Sequence, residues 1–231
     1  MSEIPSIVVE RLTKVFRSGD REIRAVNEVS LDIYRGDFVA VIGPSGSGKT
    51  TFLRLLCGME KPTSGRVIVD GVDINKLGAF ELAWFRRRKF GYKPQEAMLI
   101  PSLTLVQNVA LPLLLAGFPL VEAEEKAAEL LRKLGLEGRL HHRPPEVSGG
   151  EAERASLARA LIGKPPIAIL DEPTTHLDED TTRLVIDFLR EFNREHGTTI
   201  IATTISDDLK RAANRLLLMK LGKARYIPKI E

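Results

Sequence analysis

Two short stretches hold most of the chemistry that this sequence offers. GPSGSGKTT, Gly43 to Thr51, fits the pattern G-x-x-x-x-G-K-S/T. It stands between a continuously apolar run, Phe38 to Ile42, and a helical pattern, which is the setting the motif requires. Gly43, Gly46 and Gly48 let the backbone turn its N–H groups toward an anion, and Pro44, Ser45 and Ser47 complete the loop. From this position Lys49 reaches β and γ phosphates, Thr50 offers a hydroxyl to Mg²⁺, and Thr51 extends the polar lining. A glycine-rich turn that bound nothing would crowd Lys49 and several amides together without an anion.

The second stretch is IAILDE, Ile167 to Glu172, an apolar strand pattern that ends in two acids. A strand placed beside the phosphate loop brings both carboxylates to the C-terminal edge of the sheet. Asp171 then serves Mg²⁺, directly or through water. Glu172 is placed to polarise an attacking water, a role that needs a carboxylate the metal does not consume. Alone, an acid pair after a strand is usually a cap or a turn; the phosphate loop is what makes the catalytic reading the stronger one.

A third stretch, VSGGEAERASLARAL, has two readings that hold together. Ser148 and Glu151 have capping-box spacing for the helix that follows. The same helix start, Ser148, Gly149 and Gly150, offers a hydroxyl and amides to an anion, yet the loop at 43–51 already surrounds one. A second molecule makes sense of it.

Positioning these groups requires a sheet edge. Val29, Leu31 and Ile33 alternate with polar residues as in a strand with one wet face, whereas Phe38 to Gly43 reads as a strand buried on both sides. RVIVDGVDI reads as a short strand and turn. From about Leu77 to Gly163 the pattern is helical, with Ala127, Leu130, Leu131 and Leu134 on one stripe that stops at Gly135. Residues 167–170 and 200–205 again read as strands, joined by a helix whose Leu184, Val185, Phe188, Leu189 and Phe192 share a face. Without a repeat or linker, this is one α/β domain with a helical insertion.

The 231 residues are enough for a substantial core, and +3 from 34 basic against 31 acidic residues gives no reason to expect a nucleic-acid partner. One cysteine, Cys57, in an apolar helical pattern reads as packing in a reducing, cytoplasmic setting. MSEIPSIVVERL lacks the pattern of an export signal, and the run from Val109 to Val121 is too short and too broken by Pro112 and Pro119 to span a bilayer. A membrane role would have to come through a partner.

The loop at 43–51, SGGE at 148–151 and LDE at 170–172, in this order, resemble the ATP-binding cassette ATPases over nearly the whole chain. That resemblance implies a P-loop NTPase (RecA-like) α/β core with an N-terminal antiparallel β subdomain, at about 1–94 and 164–231, and an inserted α-helical signature subdomain at about 95–163. It implies that Phe16 in TKVF stacks on adenine. Gln95 in GYKPQ becomes the loop glutamine that senses Mg²⁺ and the membrane partner, and Asp178 in THLDED lies in a loop that crosses a dimer interface. Taken singly, Phe16 reads as core, Gln95 as loop and Asp178 as a helix cap. The family joins two cassettes, identical or different, around two ATP molecules, each held between one phosphate loop and the other subunit's signature. It drives an integral-membrane permease from the cytoplasmic face.

RRRKFGYKPQ, SLTLVQNVALPLLLAG and HHRPPEVSGG are similar to the branch that serves lipoprotein release and macrolide export. Arg86 to Lys89 reads as a solvated charge run, with a permease or anionic lipid as the alternative it could face, Trp84 as packing, and His141 with His142 as no metal site. Glu151 replaces the family's usual glutamine and His176 a small residue, expected to tune rather than abolish activity. Ile205 stands where the family has a histidine that reaches the γ-phosphate. Isoleucine has no donor, and it also reads simply as an extension of the preceding apolar strand. Slow hydrolysis, or a regulatory cassette, is the expectation this raises. An ATPase of DNA repair would need a long coiled-coil insertion and one of translation two cassettes in tandem, and this sequence has neither.

Overall fold

The computed structural model describes residues 5–19 and 21–229. Residues 1–4, where the N-terminal stretch read for an export signal begins, lie outside the described residues. Two long strands open the chain, β1 (Pro5–Ser18) and β2 (Arg21–Tyr34), followed by β3 (Phe38–Ile42), α1 (Lys49–Leu56), β4 (Ser64–Val69) and β5 (Val72–Asp73). Next come α2 (Ala79–Lys89), β6 (Phe90–Lys93), α3 (Leu105–Leu115), α4 (Leu120–Lys133) and α5 (Gly149–Leu161). The chain then forms β7 (Ile167–Leu170), α6 (Glu179–His196), β8 (Thr199–Thr203), α7 (Asp207–Ala212), β9 (Arg215–Lys220) and β10 (Lys223–Ile227).

Strands β2-β1-β4-β5 form an antiparallel sheet of four, and β10-β9-β3-β8-β7-β6 a sheet of six. In the larger sheet β9, β3, β8, β7 and β6 run parallel, and only β10 is antiparallel, as a hairpin on β9. The apolar run in β3 has the expected cause. Phe38 and Ala40 face the core formed with α3, α4, α5 and α6, while Val39 and Val41 face the core formed with α1 and the antiparallel sheet. Burial on both faces leaves no polar position within such a strand. Parallel strands place their carboxyl ends on one edge, so the loops after β3, β6, β7 and β8 meet there.

Three sequence expectations need correction. The helical pattern from Leu77 onward is interrupted by β6, which pairs with β7 at the edge of the sheet. It is four residues long and follows the basic end of α2 directly, so neither period nor turn residue announces it. Leu184 does not share the buried face of α6: it is exposed, while Val185, Phe188, Leu189 and Phe192 are buried. Trp84 is also exposed rather than packed, with the Arg88 guanidinium 4.4 Å from its ring centre. The rest of that basic run binds its own chain, Arg86 donating to the Gly58 carbonyl, Arg87 to that of Leu115, and Lys89 pairing with Asp70. Cys57 packs as expected, and burial pushes its thiol up to about 11.

The fit of β6 against α5 is tight at Gly91, where a Cβ would lie 2.0 Å from the Ala160 carbonyl oxygen and 2.8 Å from Pro165 Cγ. The former is backbone and cannot rotate away. Gly91→Ala is therefore expected to destabilise the fold by about 1–3 kcal/mol through overpacking, read as a lowered melting temperature. An unchanged melting temperature would show that α5 moves off the sheet freely.

Candidate functional site

The loop between β3 and α1 is built on close backbone approach. A Cβ at Gly48 would lie 1.9 Å from the Ala25 carbonyl oxygen, and one at Gly43 2.1 Å from that of Met219. Both residues also have positive φ, 98° at Gly48 and 151° at Gly43, which glycine adopts without strain. No side chain caps α1, so the amides at its start remain available to an anion. Lys49 is 9% exposed and donates to the carbonyls of Gly43 at 2.9 Å and Pro44 at 3.1 Å. These contacts fold the ammonium over the loop it belongs to.

The acids emerge from β7, every residue of which is buried. Asp171 is 1% exposed; its Oδ1 accepts a 2.6 Å hydrogen bond from the hydroxyl of Thr203 at the end of β8, while its Oδ2 is buried without a hydrogen-bond donor. A buried carboxylate oxygen in that state is costly unless a cation meets it. Glu172 is half-buried with φ 49°, a left-handed conformation that costs a non-glycine residue about 1–3 kcal/mol. Its N–H donates to Thr203 Oγ1 at 2.8 Å, and its carboxylate accepts from Thr175 Oγ1 at 3.0 Å.

Phe16, Lys49, Thr50, Gln95, Glu172 and Ile205 line one open cleft of about 730 Å³, together with Ser45, Gly46, Gly48 and Thr51. Phe16 is not a core residue: it is 40% exposed, with Lys14 Nζ 4.9 Å from its ring centre. Nor does Ile205 extend a strand. β8 stops at Thr203, and Ile205 is 71% exposed in the cleft that also holds Lys49 and Glu172. Its neighbour Thr204 turns its hydroxyl to the Ser206 amide at 2.9 Å, and His176 is not among the residues lining the cleft.

Ser148, Gly149, Gly150, Glu151 and Asp178 do not line this cleft either. Ser148 caps α5, accepting from the Glu151 amide at 3.2 Å, while Glu151 accepts from the Ser148 amide at 2.8 Å. That amide, followed by the Arg139 guanidinium 2.9 Å away, holds the Glu151 carboxyl below the usual carboxylate range. The charge that glutamate adds here is thus neutralised within its own chain. Ser148 and Gly149 remain exposed, and a Cβ on Gly149 would meet nothing within 4 Å. Asp178 caps α6, accepting from both the amide and the hydroxyl of Thr181 at 2.8 Å.

The donor set suits a hard cation delivered by phosphate. Among the described residues no cluster of three or more His, Cys, Asp or Glu side chains forms a cage of its own. Asp171 offers an unpaired oxygen, and Thr50 and Gln95 line the cleft. Mg²⁺ is commonly held by one or two protein carboxylates plus substrate phosphates. Thr203 and Thr175 escaped the sequence reading; the only available signal was a hydroxyl in, or just past, an otherwise apolar strand.

A sequence profile of the ABC transporter family matches residues 26–175. The macrolide export ATP-binding/permease protein MacB of Brucella melitensis is 40% identical over 223 residues, 96% of this chain but only 34% of that protein, so the chain spans about a third of that relative's length. The lipoprotein-releasing system ATP-binding protein LolD of Legionella pneumophila is 39% identical over 213 residues, 92% of this chain and 94% of that one. A dimeric post-hydrolysis structure of the ATP-binding cassette MJ0796, bound to ADP and Pi, is 35% identical and superposes with a TM-score of 0.93 over 97% of this chain and 99% of that one.

Proposed function

The chain belongs to the ABC transporter family, and we propose that it is the ATP-hydrolysing subunit of a membrane transporter, working as a dimer of cassettes against a separate permease. The observation that carries this reading is the division of the site. The cleft holds a phosphate loop and the acid Glu172, while the exposed anion-ready helix start at Ser148 lies outside it. A second copy supplying Ser148, Gly149 and Gly150 to the γ-phosphate, with Asp178 at the crossing, completes the cleft. The relative bound to ADP and Pi is itself dimeric, which supports the same arrangement. In this reading the helical subdomain, about residues 95–163, presents the signature to the partner.

The water oxygen attacks the γ-phosphorus, the bond from that phosphorus to the bridging oxygen breaks, and ADP leaves with the electron pair. Glu172 orients the water and takes its proton. Lys49 and the amides at the start of α1 neutralise the β and γ oxygens, and Phe16 offers its ring to the base. Thr50, Asp171 and, at the loop, Gln95 would hold Mg²⁺, which when bound supplies further neutralisation of the phosphate charge. Among the described residues no helix is long and apolar enough to cross a membrane. In this reading the work reaches the bilayer through a permease, with the cassette on its cytoplasmic face. Relatives of nearly equal identity are named for macrolide export and lipoprotein release, so the cargo belongs to the permease.

The second reading, a regulatory cassette of low turnover, is favoured by Ile205, an apolar side chain exposed in the cleft. A missing electrostatic donor at the transition state costs on the order of 10²–10³ in rate.

Two measurements test these readings. Glu172→Gln is expected to bind ATP but turn it over slowly, accumulating an ATP-bound dimer visible by light scattering; a variant that stays monomeric at saturating ATP would contradict the dimeric site. Ile205→His is expected to raise steady-state turnover with similar nucleotide affinity. Unchanged or lower turnover in the folded variant would mean that hydrolysis here does not lack that donor.

A further inference from the structure

Beneath the two acids lies a buried charge that the reading above does not use. Lys93, the last residue of β6, is completely buried, and its ammonium has three partners. These are Glu153 Oε2 on α5 at 2.5 Å, the Pro94 carbonyl at 3.0 Å and the Asp171 carbonyl at 3.3 Å. The two carbonyls accept hydrogen bonds from it, while Glu153 Oε2 meets it as a counter-charge without hydrogen-bond alignment. Stability alone gives little reason for the arrangement, because apolar residues of the same volume commonly stabilise as well as a buried ion pair or better.

Its location gives a stronger reason. The Asp171 carbonyl belongs to the peptide that leads into Glu172, and the N–H of that same peptide donates to Thr203 Oγ1 at 2.8 Å. One peptide unit is therefore held at its oxygen by Lys93 and at its nitrogen by Thr203. Glu172, which follows it, has φ 49°, and a residue in that conformation persists only where its surroundings over-determine it. On the other side, the Pro94 carbonyl is one residue from Gln95.

We propose that Lys93 is a positioning residue for the reaction: through its carbonyl contacts, its ammonium clamps the Asp171–Glu172 peptide and holds Glu172 in its left-handed conformation facing the cleft. The proposal rests on the reading of Glu172 as the group that activates water.

The test uses Lys93→Met/Glu153→Gln, which removes the donor without leaving a buried unpaired carboxylate, beside Glu153→Gln alone, which leaves the ammonium on both carbonyls. The double variant is expected to lose about 10–100-fold in kcat, as for groups that orient ligating residues from behind, with ATP affinity within about twofold. In the nucleotide-free protein its amide exchange across residues 171–175 is expected to speed up by about tenfold or more. Introduced into a Glu172→Gln background, the same pair of substitutions should lower kcat no further, since the two act as one unit. Glu153→Gln leaves the ammonium without its counter-charge and is expected to lower the melting temperature; with both carbonyl contacts kept, its kcat is expected to stay near the parental value and its exchange protection at 171–175 to persist. Parental kcat or parental exchange in the double variant would overturn the clamp. So would a tenfold loss in Glu153→Gln, which would assign the effect to the charge pair. If Glu172→Gln itself turned over at the parental rate, the reading of Glu172 would fail, and the exchange measurement would still decide whether Lys93 holds the peptide.

Discussion

Opposite charges held at one sheet edge are the constraint on which the rest of this structure depends. Lys49 and Asp171 are both nearly buried, at 9% and 1% exposure, and one oxygen of Asp171 has no donor. Charges kept out of water in this way stay costly until matched, and a polyphosphate with a divalent cation matches both at once. The fold creates the condition. β7 is buried along its length and β3 up to its last residue, so the first polar residues after them fall at the rim, where the parallel strands all end. β8 contributes Thr203, which binds Asp171 through its hydroxyl and receives the Glu172 amide.

The same placement of elements underlies the proposed division of the site between two copies. α5 and α6 begin with capped, exposed turns, Ser148 with Glu151 and Asp178 with Thr181, and neither turn lines the cleft. Caps satisfy the helix without consuming the glycine amides, so the start of α5 remains competent for an anion. Glu151 fits this arrangement because Arg139 and the Ser148 amide neutralise it locally.

Much of this was legible in the sequence because its chemistry is contiguous there. The loop from Gly43 to Thr51 and the Asp171–Glu172 pair announce themselves within a few residues, and the alternation in β2 and the stripe of α4 identify their elements. What stayed hidden depends on contacts between distant segments. β6 has no signature of its own, because its burial comes from β7 and α5 rather than from a local period. Lys93 carries no mark of its own in the sequence, yet Glu153 and two carbonyls give it a fully buried place. Thr203 reads as the close of an apolar strand, and only the parallel pairing of β7 with β8 shows that it meets Asp171. Ile205 was visible as a departure, but its exposure in the cleft follows from β8 ending at Thr203.

Shared sites between two copies are best tested by mixing chains that are defective in opposite halves. Lys49→Ala removes the phosphate-loop ammonium, and Ser148→Arg blocks the helix start that would close the partner's cleft. In a mixed dimer one of the two sites has its intact phosphate loop facing an intact Ser148, and the other site is defective on both sides. Steady-state ATP turnover is expected to be low for each chain alone and to recover when the two are combined. A mixture that is no faster than either chain alone, with both proteins folded, would contradict a site built from two copies.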